Sequence, residues 1–177
     1  MRDSVLRGRV WVLARSSGRL IEDIDTDQIF HNAHLHITEI LQMGAHALGN
    51  LEGWKDFPQK AKPGDILIAG RNFGAGSSRQ QAVDCFIALG VAAIIAPSYS
   101  AIYFRNAVNT GFPVLRAEGL DEAVAEGRLR SGDEIEIDLA GSRALNLTRN
   151  ESLKIAPMSG VQREILEAGN LFKLKRS

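Results

Sequence analysis

Asp65-Ile66-Leu67-Ile68-Ala69-Gly70-Arg71-Asn72-Phe73-Gly74-Ala75-Gly76-Ser77-Ser78-Arg79 runs from a short apolar strand into a glycine-rich turn and ends in two hydroxyls and a guanidinium. Residues 80–89 then close on Gly90, as a capped helix does. Val91-Ala92-Ala93-Ile94-Ile95-Ala96 is an unbroken apolar run of the kind a strand buried on both faces needs. Strand, turn, helix and strand make a βαβ unit. In open parallel sheets, ligands bind where such turns leave the carboxyl ends of the strands.

Upstream, Gly8 to Ala14 reads as a strand, Ser16-Ser17-Gly18 as a turn, and Asp25-Thr26-Asp27-Gln28-Ile29 as a polar loop able to present carboxylates. Residues 37–48 carry Ile37, Ile40, Leu41, Ala45 and Leu48 close to helical spacing, which Gly44 weakens by about 1 kcal/mol relative to alanine. Residues 49–64 lack periodicity and read as the most mobile segment. Downstream, residues 98–109 predict a helix ended by Gly111, residues 112–115 a strand and residues 121–126 a short helix. Residues 134–139 and 145–148 alternate as half-solvated antiparallel strands around the turn Ala140-Gly141-Ser142. A helix over residues 160–168 and a basic tail, Lys173-Leu174-Lys175-Arg176, follow. Parallel core strands with helices, plus an antiparallel ribbon, predict an α/β protein with a mixed sheet and a second β layer.

A chain of 177 residues is long enough for one domain with a real core. Twenty-one basic residues balance twenty-one acidic ones, so no net field draws it to nucleic acid or to an anionic membrane, and any anion must be captured locally. The apolar runs are too short to cross a bilayer, and Arg15 cuts off the run Val10-Trp11-Val12-Leu13-Ala14 with no small-residue cleavage site after it. A cytoplasmic address is the expectation. The single cysteine, Cys85, excludes an internal disulfide and a multi-cysteine metal site made by this chain alone; among Val83, Phe86, Ile87 and Leu89 it reads as a small buried apolar side chain.

A helix start leaves backbone N–H groups unpaired at a partly positive end, so carboxylates and phosphates bind there. Gly74 and Gly76 admit positive φ and let a ligand approach the backbone. Arg79 adds a planar fork that holds a carboxylate by two parallel hydrogen bonds, which lysine cannot do. Ser78 is open to two roles, helix N-cap or ligand contact. The turn lacks the Gly-Lys-Ser/Thr ending of a nucleotide phosphate loop, and Arg79 stands where a dinucleotide fingerprint has its third glycine. A small carboxylate suits this turn better than a pyrophosphate.

Three linked motifs carry a resemblance. Gly70-x-Asn72-Phe73-Gly74-x-Gly76-Ser77-Ser78-Arg79, Ala93-Ile94-Ile95-Ala96-x-Ser98-Tyr99 and Ile102-Tyr103-Phe104-Arg105-Asn106-Ala107-Val108-Asn109-x-Gly111 are similar, in order and spacing, to the swivelling domain of the aconitase superfamily, and most closely to its free-standing dehydratase small subunits. Asp25-Thr26-Asp27-Gln28-Ile29 resembles that family's entry motif, and the likeness runs from about Val10 to Leu115. The resemblance implies a swivelling β/β/α three-layer domain over residues 1–177, with a mostly parallel central sheet and an additional antiparallel β layer. It implies a hydro-lyase that moves a hydroxyl between adjacent carbons of a small dicarboxylate or tricarboxylate. A [4Fe-4S] cluster is expected on a large subunit, none on this chain, and the chain alone is expected to be inactive. Ser77 matches the serine that removes the α-proton and Arg79 the arginine that grips a substrate carboxylate. Gly76, Ser78, His34 and Asp27 complete the expected substrate contacts. Residues 37–59 are then expected to order only when the large subunit docks, with Leu51, Trp54 and Phe57 waiting for a surface to cover.

His31-Asn32-Ala33-His34-Leu35-His36 stands where relatives carry a Pro-x-Arg-Tyr/Phe-Leu segment that helps choose the substrate's variable group, so isopropylmalate is the first expectation, with homoaconitate, a methylated malate or citraconate as alternatives. The three histidines fit a polar specificity loop, a plain surface or, at a spacing that matches no zinc pattern, a metal site. Asp25 and Asp27 fit either the active site or turn formation. Arg105, Asn106 and Asn109 read as braces of the sheet or of a subunit interface. From other classes, a non-catalytic nucleotide- or phosphate-binding module and a purely structural subunit remain as alternatives.

Overall fold

A computed structural model of the chain describes residues 4–174; Lys175 and Arg176 of the basic tail lie outside the described residues. The strands are β1 (Val5–Val12), β2 (Ile66–Ile68), β3 (Ala93–Ala96), β4 (Val114–Arg116), β5 (Glu134–Asp138), β6 (Arg143–Asn146) and β7 (Glu151–Lys154). They form one curled sheet in the order β4-β3-β2-β1-β5-β6-β7. The first four run parallel and the last three continue antiparallel. β1 serves both parts: its residues 5–9 pair with β5, and its residues 10–12 pair with β2. The helices are α1 (Thr26–Ile29), α2 (Ile40–Met43), α3 (Phe57–Lys60), α4 (Gln81–Ala88), α5 (Ala101–Asn109), α6 (Leu120–Ala125) and α7 (Gly160–Ala168).

Side chains alternate across a strand, so each face of the parallel part builds its own core. Leu67, Ile94 and Val114 pack with Val83 and Phe86 of α4 and with Tyr103 and Ala107 of α5. On the other face, Ile66, Ile68, Ala93, Ile95 and Leu115 pack with Ile135, Ile137, Ala144 and Leu153 of the antiparallel part, and with Leu120 and Leu166 of α6 and α7. Helices, parallel sheet and antiparallel strands therefore stack as the three expected layers. Among the described residues, no helix is long and apolar enough to cross a membrane.

Three local expectations are corrected. Residues 25–29 form a capped helical turn rather than a polar loop: the Gln28 amide donates to Asp25 Oδ1 and the Asp25 amide to Gln28 Oε1, a capping box. Residues 37–48 do not form one helix. α2 stops at Gly44, where a Cβ would lie 3.2 Å from Ala88 Cβ, and a 3₁₀ turn follows, so Gly44 serves the close approach to α4. The three side chains expected to wait for a partner surface are packed against their own chain. Leu51 and Phe57 are buried, and the Trp54 and Phe57 rings meet Trp11 edge-to-face at 6.2 and 5.6 Å.

Candidate functional site

The glycine turn leaves the carboxyl end of β2 with Asn72, Gly74 and Gly76 at φ of 55°, 78° and 85°. Gly74 has a second reason to be glycine, since a Cβ there would come within 2.2 Å of the Tyr103 ring. The entry segment is stitched to this turn: the Gly74 amide donates to the Ile24 carbonyl (2.8 Å), the Thr26 amide to Ala75 (2.9 Å), and Thr26 Oγ1 to the Ser77 carbonyl (2.8 Å). On the other side, Ser100 Oγ at the start of α5 donates to the Gly74 carbonyl (2.6 Å). Hydrogen bonds to the backbone of the turn from both flanks thus fix the position of Ser77.

The Ser77 side chain is exposed, and its hydroxyl has no hydrogen-bond partner among the described residues. The backbone amides of residues 76–80 likewise meet no acceptor among them. Unpaired amides in a turn that opens a helix form an anion cradle. Ser78 is not the N-cap of α4: no side chain caps that helix, and Ser78 Oγ instead accepts from Asn106 Nδ2 at 3.1 Å. Gln80 reaches forward along the helix, its Nε2 donating to Asp84 Oδ1 at 2.9 Å, and burial raises the Asp84 carboxyl above the usual range.

Arg79 is held from one side only. Its Nη1 donates to Asp27 Oδ1 (2.7 Å) and to the Phe30 carbonyl (2.9 Å), while Nε and Nη2 have no acceptor among the described residues. That leaves the side-on edge of the guanidinium, the edge that takes a carboxylate by two parallel bonds. Asp27 in turn accepts from the Asn32 amide (2.9 Å) and from Asn50 Nδ2 (3.0 Å). The hydrogen bond from Arg79 keeps its carboxyl below the usual range. Asp27, expected to contact the substrate, is bonded to Arg79 and steadies it, and Asp25 is a helix cap.

His34 lies in a 3₁₀ turn over Asn32–His34, anchored to the same network through Asp27. Its ring stacks on His46 with centroids 3.8 Å apart, and both rings meet the Phe30 ring edge-on at 6.2 and 6.1 Å. Burial, with His46 beside it, lowers the His34 pKa, so the neutral ring is favoured. His31 Nδ1 caps the turn by accepting from the Ala33 amide, and His36 Nδ1 lies 3.1 Å from the Ala33 carbonyl. No group of three His, Cys, Asp or Glu side chains among the described residues is arranged to hold a metal ion. Cys85 is fully buried in α4, with burial pushing its thiol pKa up.

Gly76, Ser77 and Ser78 are therefore exposed side by side at the carboxyl end of the sheet, with the partly buried Arg79 next to them and Asp27 and His34 joined to Arg79 through Phe30 and the Asp27 carboxylate. Sequence reading missed Thr26, Phe30, Asn50 and His46. Thr26 left a trace, a short hydroxyl residue between two aspartates; Phe30 acts through its carbonyl and ring, His46 through stacking and Asn50 through a side-chain amide on Asp27, contacts that no local pattern reveals. A cleft of about 370 Å³ lined by Leu6, Ile87, Phe112 and Leu166 lies at the opposite, amino end of the parallel strands and shares no residue with the turn.

The profile of the aconitase C-terminal domain matches residues 21–118, from the entry segment through α5 to the end of β4. The chain is 41% identical to the 3-isopropylmalate dehydratase small subunit of Pyrobaculum calidifontis, covering 96% of each sequence. The chain belongs to the aconitase C-terminal domain family, in its 3-isopropylmalate dehydratase small-subunit branch. Another member of that branch, the isopropylmalate/citramalate isomerase small subunit of Methanocaldococcus jannaschii, is 37% identical over 96% of this chain and 92% of its own. The fold agrees: a crystal structure of 3-isopropylmalate dehydratase from Methanocaldococcus jannaschii superposes with a TM-score of 0.83 at 33% identity, covering 96% of this chain and 92% of that one. The antiparallel layer, outside the profile match, is thus part of the branch's shared fold.

Proposed function

We propose that this chain is the small subunit of a two-chain hydro-lyase that isomerises 3-isopropylmalate by dehydration and rehydration in leucine biosynthesis, working with a large subunit in the cytoplasm as one swivelling domain over residues 1–177. The observation that carries the reading is the exposed, unbonded Ser77 oxygen inside a run of free amides, beside the open edge of Arg79. The Arg79 edge and the cradle amides take the substrate's carboxylate groups, with Ser78 and Gly76 in contact and Asp27 holding the guanidinium in place. His34 borders the substrate's variable group.

Ser77, ionised to its alkoxide, takes a proton from the carbon next to the departing hydroxyl and becomes neutral; the pair of electrons left on that carbon forms the double bond as hydroxide leaves the neighbouring carbon. Rehydration gives a proton from Ser77 to the carbon that lost the hydroxyl and hydroxide to the carbon that lost the proton, which restores the alkoxide and completes the isomerisation. A serine oxygen is a weak base in water, and it becomes effective where amides and a guanidinium converge on it and solvent is excluded. The free amides and the Arg79 guanidinium belong to residues next to Ser77 in the turn, and substrate binding beneath a docked large subunit brings the two conditions together.

The residues of this chain do not fit an iron–sulfur cluster: its single cysteine is sealed in α4 with a raised pKa. The [4Fe-4S] cluster is assigned to the large subunit, and no step above passes through it. Reconstitution tests the proposal. Neither chain alone should turn over 3-isopropylmalate and the assembled pair should; a pair that accepts citramalate but not 3-isopropylmalate would reject the substrate, and a pair inactive on every hydroxy-diacid would reject the reaction class.

A further inference from the structure

We infer that Asn106 is a positioning residue that fixes Ser78 as a hydrogen-bond donor toward the substrate, so that two adjacent serines are set for opposite tasks. The inference rests on the hydro-lyase reading. A serine hydroxyl carries one proton and two lone pairs, and the neighbour that occupies a lone pair decides where the proton points. Asn106 Nδ2 lies 3.1 Å from Ser78 Oγ. With that lone pair engaged from the α5 side, the Ser78 O–H is turned toward the exposed face of the turn. Ser77 receives no such donor among the described residues, so its lone pairs stay free to accept a proton.

The arrangement is imposed by rigid elements. Tyr103 OH donates to the Ala82 carbonyl at 3.1 Å, locking α5 to α4, and Ser100 Oγ ties the start of α5 to Gly74. Thr110 Oγ1 donates to the Asn106 carbonyl at 3.0 Å, one turn further on. Asn106 is thereby carried at a fixed height over Ser78, which no longer serves the helix as a cap. A hydroxyl so directed suits a substrate carboxylate held against the cradle.

The test uses the enzyme assembled with its large subunit and compares wild type, N106A, N106D, S78A and the N106A/S78A double variant. N106A is expected to raise KM about 5- to 10-fold with kcat little changed, the effect of one lost hydrogen-bond partner. Asn106→Asp should raise KM more than Asn106→Ala, because a carboxylate accepts the Ser78 proton and turns it away from the substrate. Since N106D preserves shape, it carries the test should N106A fail to assemble. In the S78A background the effect of N106A should vanish, as it must for a residue acting through Ser78. Wild-type KM in N106D, or a penalty for N106A that persists in S78A, would overturn the inference and leave the hydro-lyase reading standing. An inactive wild-type pair would remove both.

Discussion

Arg79 shows how much of a site can depend on one side chain's geometry. One guanidinium nitrogen serves the protein, through Asp27 and the Phe30 carbonyl, and the opposite edge is left for the ligand. A lysine's single ammonium cannot hold Asp27 and the Phe30 carbonyl with one nitrogen while presenting two parallel N–H groups to a carboxylate with others. R79K is therefore expected to raise KM by about 10- to 100-fold, the worth of a charge-assisted bond, in steady-state assays of the assembled enzyme. An unchanged KM would remove Arg79 from the substrate site. The glycine spacing and the terminal Ser-Ser-Arg made the position of this chemistry legible in the sequence. The function of each aspartate was not, because a carboxylate that caps a helix and one that holds an arginine look alike until the chain folds. Asp25 does the first and Asp27 the second.

Among the elements, the turn between β2 and α4 is the most constrained. Gly74 and Gly76 share positive φ, yet an added methyl group would meet the buried Tyr103 ring at 2.2 Å in the first case and nothing nearer than 3.7 Å in the second. Gly76→Ala should cost only the left-handed backbone strain, about 1–2 kcal/mol. Gly74→Ala should cost that plus about 1–3 kcal/mol of overpacking, since Tyr103 is held by its bond to Ala82. Denaturant unfolding of the isolated chain measures both, and equal losses would contradict the packing. β3 and α7 were readable because an unbroken apolar run and an amphipathic period each have one structural solution. The strand expected over residues 145–148 lies two residues earlier, at Arg143–Asn146, with Leu145 exposed and Asn146 pointing in, donating to Asp133 Oδ2 (2.8 Å) and the Arg128 carbonyl (3.1 Å). A buried amide that closes a hairpin has no periodic signature.

The whole molecule is organised by β1, which changes partner between Arg9 and Val10. Gly8 permits the crossing, because a Cβ there would lie within 1.9 Å of the Gly64 carbonyl oxygen. Asp65 fastens the change: its carboxylate accepts from Arg9 Nε (3.1 Å) and Nη2 (2.7 Å), Trp11 Nε1 (2.7 Å) and the Lys62 amide (2.8 Å). Burial pushes the Asp65 carboxyl up, but Arg9, the Lys62 amide and Trp11 together outweigh it and hold the group below the usual carboxylate range. A depressed folded pKa gives stability that is present above the ordinary carboxylate pKa and lost as pH falls toward the depressed one. D65N should therefore destabilise the chain by about 2–3 kcal/mol at neutral pH and narrow the gap to wild type as the solution is acidified, read from melting temperature against pH. A constant gap would place the stabilisation elsewhere.

At this scale the three layers bring an open serine, a free run of amides and half an arginine to one face and leave that face uncovered. The decisive measurement is kcat for 3-isopropylmalate in the enzyme assembled from the large subunit and the Ser77→Ala chain. A fall of about 100- to 10,000-fold, with assembly and KM preserved, is what a proton-transferring oxygen predicts. Turnover at the wild-type rate would show that the Ser77 hydroxyl takes no part in the chemistry.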